Sequence, residues 1–137
     1  MICSLLVHIA AIHIGFSQHY RSMVPGAGLD CEVTDSISLA IGSYRNSVGD
    51  RSNYLLAAKD FQVSSSVKAG FFIGGVDGYY WRNRGKLDYF GGLRSSVKLT
   101  DSTSLQIQFI PGQQYTRQGV ISIGFSYSFG NIGETNK

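Results

Sequence analysis

Charge is scarce in this chain. Lys, Arg, Asp and Glu make up 15% of its 137 residues, against roughly 25% in soluble domains. The 12 basic residues outnumber the 9 acidic ones, for a formal net charge of +3, and no basic run exceeds the Arg82-Asn83-Arg84-Gly85-Lys86 cluster. Nucleic-acid binding needs a concentrated basic stripe, so no nucleic-acid partner is expected. No 18-residue window is continuously apolar, which excludes a membrane-spanning helix. Two cysteines, Cys3 and Cys31, cannot specify a disulfide framework and lack metal-ligand spacing. They are expected to be buried free thiols, with a bridge open only if the first two strands are neighbours. The three histidines do not cluster with Cys or carboxylates at ligand spacing, so no metal is expected. Gly74-Gly75 and Gly91-Gly92 fall within strand patterns and not before helices, so no phosphate cradle and no cofactor are implied.

Glycine and aromatics are abundant instead. There are 17 glycines, 8 tyrosines and 8 phenylalanines, too apolar a composition for a disordered chain. Period-two alternation recurs about every 12 to 15 residues, broken by turn chemistry. Leu5 to Phe16 reads as a first strand. A secretory signal fits this stretch poorly, because it has no Lys or Arg and places His8 and His13 in the apolar run. Further strands are expected near Gly28–Val33, Ile37–Tyr44, Asn53–Phe61, Val67–Gly74, Leu87–Leu99, Leu105–Pro111 and Ile121–Phe129. Thr34-Asp35-Ser36 and Thr100-Asp101-Ser102 are tight turns. The expected fold is therefore all-β: a single antiparallel up-and-down β-barrel of about eight strands over 1–137, with a polar tail at 130–137. The second and fourth strands barely reach the roughly 9–11 residues that a spanning strand needs.

Period two defines two faces, and glycine indicates which is inside. Gly28, Gly42, Gly70, Gly74, Gly92 and Gly124 all fall on the polar face. On an exposed strand a glycine costs conformational entropy and packs nothing; in a narrow barrel it makes room. Asp30, Glu32, Lys68, Asp88, Arg94 and Lys98 share that face with nearly balanced sign, as an internal ion network would. Ile121, Ile123, Phe125, Tyr127 and Phe129 should then face outward, the arrangement of a membrane barrel. A water-soluble sandwich with a Gly- and Ser-rich outer face is the competing reading.

Three motifs in order add a resemblance. Tyr44-Arg45-Asn46-Ser47 resembles the Phe-Lys-Asp-Ser step of the lipid A palmitoyltransferase (PagP) barrel family. Pro25-Gly26-Ala27-Gly28-Leu29 resembles that family's Gly-rich second-strand start. Leu105-Gln106-Ile107-Gln108-Phe109-Ile110-Pro111-Gly112 is similar to its penultimate strand. The resemblance spans about residues 10 to 130 and implies an outer-membrane barrel that moves an acyl chain from a phospholipid to lipid A. By that resemblance Ser47 matches the family's serine, Asn46 stands where it has aspartate, and His13 in Ala11-Ile12-His13 matches its histidine. The sequence departs from the family in its shorter loop after His13 and in having neither the amphipathic helix nor an export signal.

A serine nucleophile needs a base, commonly oriented by a carboxylate. Asn46 cannot stabilise an imidazolium by charge. His13 on a strand also reads as a packed polar residue, His8 and His19 are rivals for its role, and Ser47 suits a turn. The expected function is thus a non-catalytic or degenerate outer-membrane-type barrel, structural or binding membrane lipid or acyl chains, in the bacterial outer membrane if exported. Alternatives are a phage virion structural protein meeting virion proteins or self-assembling, and an active lipid acyltransferase. A soluble lipocalin-like carrier lacks that family's hallmark motifs.

Overall fold

The computed structural model describes residues 2–14, 23–45, 51–77, 88–111 and 119–131. Eight strands run in chain order: β1 Ile2–Ile14, β2 Met23–Glu32, β3 Ile37–Arg45, β4 Arg51–Gln62, β5 Val67–Val76, β6 Asp88–Lys98, β7 Thr103–Ile110 and β8 Gly119–Asn131. Each pairs antiparallel with its neighbours, and β1 pairs with β8 to close a barrel. Closure leaves no free sheet edge. The expected meander is present, and the described residues contain no helix.

Several boundaries differ from the sequence reading. The first strand starts three residues earlier, at Ile2, and β2 starts at Met23. With 10 residues in β2 and 12 in β4, both reach spanning length. The last strand runs through Gly130 and Asn131, which the sequence pattern assigns to the tail. A pleated strand is fixed by its ladder partners, so a segment such as Met23–Ala27 without clean alternation still pairs when a neighbour is in register. The cysteines also correct the reading. Cys3 and Cys31 stand directly opposite in the β1–β2 ladder and are bonded as a disulfide, and no free cysteine remains. They lie on the outward parity with Leu5 and Leu29.

The two rims differ. Three tight turns, Val33–Ser36, Val63–Ser66 and Leu99–Ser102, share one rim with the outer ends of β1 and β8; it is called the turn rim below. The turns are built alike. The amides of Val33, Val63 and Leu99 donate to the carbonyls of Ile37, Val67 and Thr103 at 2.8–2.9 Å. Each second residue, Thr34, Ser64 or Thr100, accepts backbone amides on its hydroxyl, the local bonding that favours Ser and Thr in turns. The carbonyls of Ser36, Ser66 and Ser102 then accept the amides of Asp60, Lys98 and Ser128, tying every turn to the next strand. At the opposite rim, the loop rim, β1, β3, β5 and β7 end.

Faces follow the expected sense. Ile41 is 60% exposed, Ile73 69% and Phe125 41%, whereas Phe72 is 1% exposed. Leu6, Ala40, Tyr54, Leu56, Ala58, Phe72 and Val76 form the interior cluster. A bulge between His8 and Ala10 shifts the register of β1 against both neighbours. One extra residue reverses the alternation, so Leu5 and Val7 before it and Ile12 after it are all exposed, while Leu6 and Ala11 are buried.

Candidate functional site

The interior is the chemically rich part of the molecule, and it has two halves. Near the turn rim, Arg94 on β6 reaches across the lumen. Its Nε donates to Asp60 Oδ1 at 2.8 Å, its Nη1 to Asp30 Oδ2 at 3.0 Å and its Nη2 to Ser38 Oγ at 2.6 Å, with a further bond from Nη2 to Asp60 Oδ2. A planar guanidinium offers five donors in a fixed fork, which suits it to two carboxylates and a hydroxyl at once. Lys68 Nζ pairs with Glu32 Oε1 at 3.1 Å in the same half. Gln106 Nε2 donates to Ser96 and Ser126 at 3.1 and 2.9 Å. Asp30, Glu32 and Asp60 thus balance Lys68, Arg94 and Lys98 on the inward face. Lys98 at the rim contacts Asp101 instead, at 3.7 Å. The side chain of Asp88 lies outside the described residues.

Toward the loop rim the lumen is aromatic. Tyr54 of β4 lies over Gly42 and Gly28. A Cβ added to Gly42 would come within 2.5 Å of the Tyr54 hydroxyl and 2.7 Å of its ring, so both glycines are required by the close approach of that ring. The Tyr54 hydroxyl and His8 Nε2 are 2.7 Å apart, and His8 meets the rings of Tyr44 and Tyr54 edge-on. Phe72 and Phe90 pack beside them. Between the halves remains a cavity of about 10 Å³ beside Leu6, His8, Asp30, Arg94 and Gln106, room for about one water. Phe72 and Ala40 are 1% exposed and Leu56 4%, so these described side chains pack their part of the lumen.

The sequence-derived catalytic candidates are placed as follows. His13 pairs with Val120 of β8 near the loop-rim end of β1; its side chain, and the whole of Asn46, Ser47 and His19, lie outside the described residues. Since β1 and β3 both end at the loop rim with only β2 between them, His13 and Arg45 stand at the same end of the barrel. His8 is committed to Tyr54 inside. Asp60 and Ser38, both bound to Arg94, and Tyr54 were not singled out from the sequence. The fourth strand alternates weakly because Ala57 and Ala58 blur its faces; the inward parity of Asp60 shows only once Lys59 is placed outside.

Among the described residues the β6–β7 ladder runs from Leu93–Phe109 to Lys98–Ser104.

The outside of the strands completes the picture. Among the described strands only Arg45, Arg51 and Lys59 place a charge on the outward parity, two at the loop rim and one near the turn rim. Between Arg51 and Lys59 the outward residues of β4 are Asn53, Leu55 and Ala57. Eight residues at about 3.3 Å each, tilted by about 40°, give a charge-free band about 20 Å tall. A closed eight-stranded meander that is apolar outside and ion-paired inside has the outer-membrane-type barrel fold.

The solved structures to which the chain is similar have that fold. Two are designed: a structure from the de novo design of transmembrane β-barrels (TM-score 0.71, 11% identity, 93% of this chain and 94% of that one) and a de novo designed barrel solved by solution NMR (TM-score 0.72, 12% identity, 95% of each). Natural neighbours include the outer membrane protein Ail of Yersinia pestis in a phospholipid bilayer nanodisc (TM-score 0.59, 11% identity, 93% of this chain and 99% of that one). The N-terminal β-barrel domain of Pseudomonas aeruginosa OprF is another (TM-score 0.54, 15% identity, 93% and 97%). No protein-family model and no curated protein sequence matches the chain.

Proposed function

We propose that this protein is a membrane-spanning structural barrel of the outer-membrane type that presents its outer wall to lipid and does no chemistry in its lumen. The observation that carries the reading is the partition of side chains. Large apolar residues such as Ile41, Leu55, Ile73 and Leu93 are exposed on every side, while six charged groups of the strands are turned inward and five of them are paired across the lumen. In water that pattern would leave an apolar surface far larger than monomers tolerate. In a bilayer it is the low-energy arrangement. The test is reconstitution of the full chain into phosphatidylcholine vesicles. Expected are flotation with the lipid and slower gel migration on boiling. A chain that is monodisperse without detergent and stays off the vesicles would sink the reading.

A second reading, an active lipid acyltransferase, is the one implied by the palmitoyltransferase resemblance, with His13, Asn46 and Ser47 as its candidate residues. The packed interior weighs against a deep acyl pocket, and Asn46 against an activated serine. An acyl-transfer assay with a phospholipid donor decides between the readings, and its outcome is set out in the Discussion.

A further inference from the structure

Arg45, the last residue of β3, and Arg51, the first of β4, stand directly opposite each other in the ladder. Both are exposed and share the outward parity of Ile41 and Leu55. Opposed residues on one face of an antiparallel pair have Cβ atoms about 5 Å apart, and like charges there repel. Neither arginine forms an ion pair among the described residues. The described carboxylate beside them, Asp77, accepts the Asn53 amide at 2.7 Å. An anion held between two like charges that face each other across a ladder relieves their repulsion.

Their height selects the anion. The next outward pair below is Ser43–Asn53, and the one below that is Ile41–Leu55, already within the apolar band. Long arginine side chains rooted at the edge of such a band extend to the level of lipid headgroups. Guanidinium groups bind phosphate by two parallel N–H···O bonds, and two of them can grip one phosphate from both sides. The charge of the whole chain is biased the same way. The segments joining strands at this rim, 15–22, 46–50, 78–87 and 112–118, contain Arg21, Arg82, Arg84, Lys86 and Arg117 against Asp50 alone. The three turns at the other rim contain Asp35 and Asp101 and no basic residue.

We propose that Arg45 and Arg51 form a two-pronged phosphate site that holds the headgroup of an anionic lipid in the leaflet at the loop rim. This rests on the membrane-spanning reading above. The same chemistry would hold a free phosphate, and the experiment separates the two sources. The full chain is reconstituted in vesicles of phosphatidylcholine mixed with phosphatidylglycerol, and the lipids it retains on gentle extraction are counted by native mass spectrometry. Two arginines near a charged headgroup favour enrichment of phosphatidylglycerol by about tenfold. Because one phosphate bridges both, Arg45→Gln and Arg51→Gln should each abolish most of the enrichment, and the double variant should add little. Arg45→Lys/Arg51→Lys, which keeps the charge and loses the fork, should fall in between. Lys59→Gln, at the other rim, should leave the enrichment nearly unchanged. Additive single losses, an equal loss in Lys59→Gln, or no preference in the parent would each overturn the site. Elimination of the enrichment by excess inorganic phosphate, with phosphate ions retained instead, would overturn the lipid assignment. A chain that does not insert at all sinks the membrane reading and this inference with it; one that inserts without lipid preference sinks the inference alone.

Discussion

Arg94 and Asp30 are ion-paired at 3.0 Å across the lumen, although 64 residues and three intervening strands separate them in the chain. The same guanidinium holds Asp60, so one cation on β6 ties together β2 and β4. Removing it would leave two carboxylates facing each other in a packed interior. Breaking a buried pair by deleting one partner costs about 3–5 kcal/mol. Arg94→Met should therefore lower the unfolding free energy of the lipid-reconstituted barrel by about that much, read from urea titration. Adding Asp30→Asn and Asp60→Asn should restore part of the loss. An unchanged midpoint in Arg94→Met would show that the pair contributes nothing.

Tyr54 and Gly42 fit only as a pair. A methyl group at Gly42 would collide with the Tyr54 ring and also meet the Ala27 carbonyl at 2.8 Å. Gly42→Ala is expected to cost about 1–3 kcal/mol by overpacking. In a Tyr54→Ala background the same substitution should cost clearly less, though not zero, because the carbonyl contact persists. The double-mutant cycle measures this coupling directly. Equal costs in both backgrounds would mean that the ring does not require the glycine.

Cys3 and Cys31 close a loop with a sequence separation of 28. By loop-closure entropy such a link contributes about 3–4 kcal/mol. The oxidised protein should resist thiol alkylation until reduced, and Cys3→Ser/Cys31→Ser should unfold at lower urea concentration. Alkylation of the folded, unreduced protein would contradict the bridge. Persistence of the bond also implies an oxidising compartment.

The packed lumen predicts no porin-like conductance. Planar bilayers containing the protein should show no discrete current steps above the lipid baseline. Sustained steps would mean that the Arg94 network opens, and Arg94→Ala would then enlarge them.

Acyl transfer is expected to be absent. A phospholipid donor incubated with the reconstituted parent chain should give no transferred acyl product, and Ser47→Ala should behave identically. Activity in the parent that disappears in Ser47→Ala would establish the transferase reading in place of the structural one.

Much of this architecture was legible in the sequence because it is set by local, period-two chemistry. Ile121 to Phe129 alternate with Ser122, Gly124, Ser126 and Ser128, and that alternation fixes a strand with one apolar face. The glycines on the polar face indicated the inside, since a narrow barrel has room for little else there. Asp30, Glu32, Lys68 and Arg94 were readable as inward charges by parity alone. Thr34-Asp35-Ser36 and Thr100-Asp101-Ser102 marked two of the three turns; Ser64-Ser65-Ser66 is built the same way but lacks the aspartate that made the others visible.

What the tertiary structure decided is the identity of partners. Parity cannot say that Arg94 selects Asp30 and Asp60, or that Tyr54 covers glycines on two other strands, because those meetings depend on closure between β1 and β8 and on the register of every ladder between. The bulge after His8 is likewise invisible locally, yet it determines that Ala11 is buried and Ile12 exposed. The disulfide depended on Cys3 and Cys31 falling opposite each other, and a register shift of one residue would have moved their side chains to opposite faces. Arg45 and Arg51 read as unremarkable ends of two strands until the ladder set them face to face.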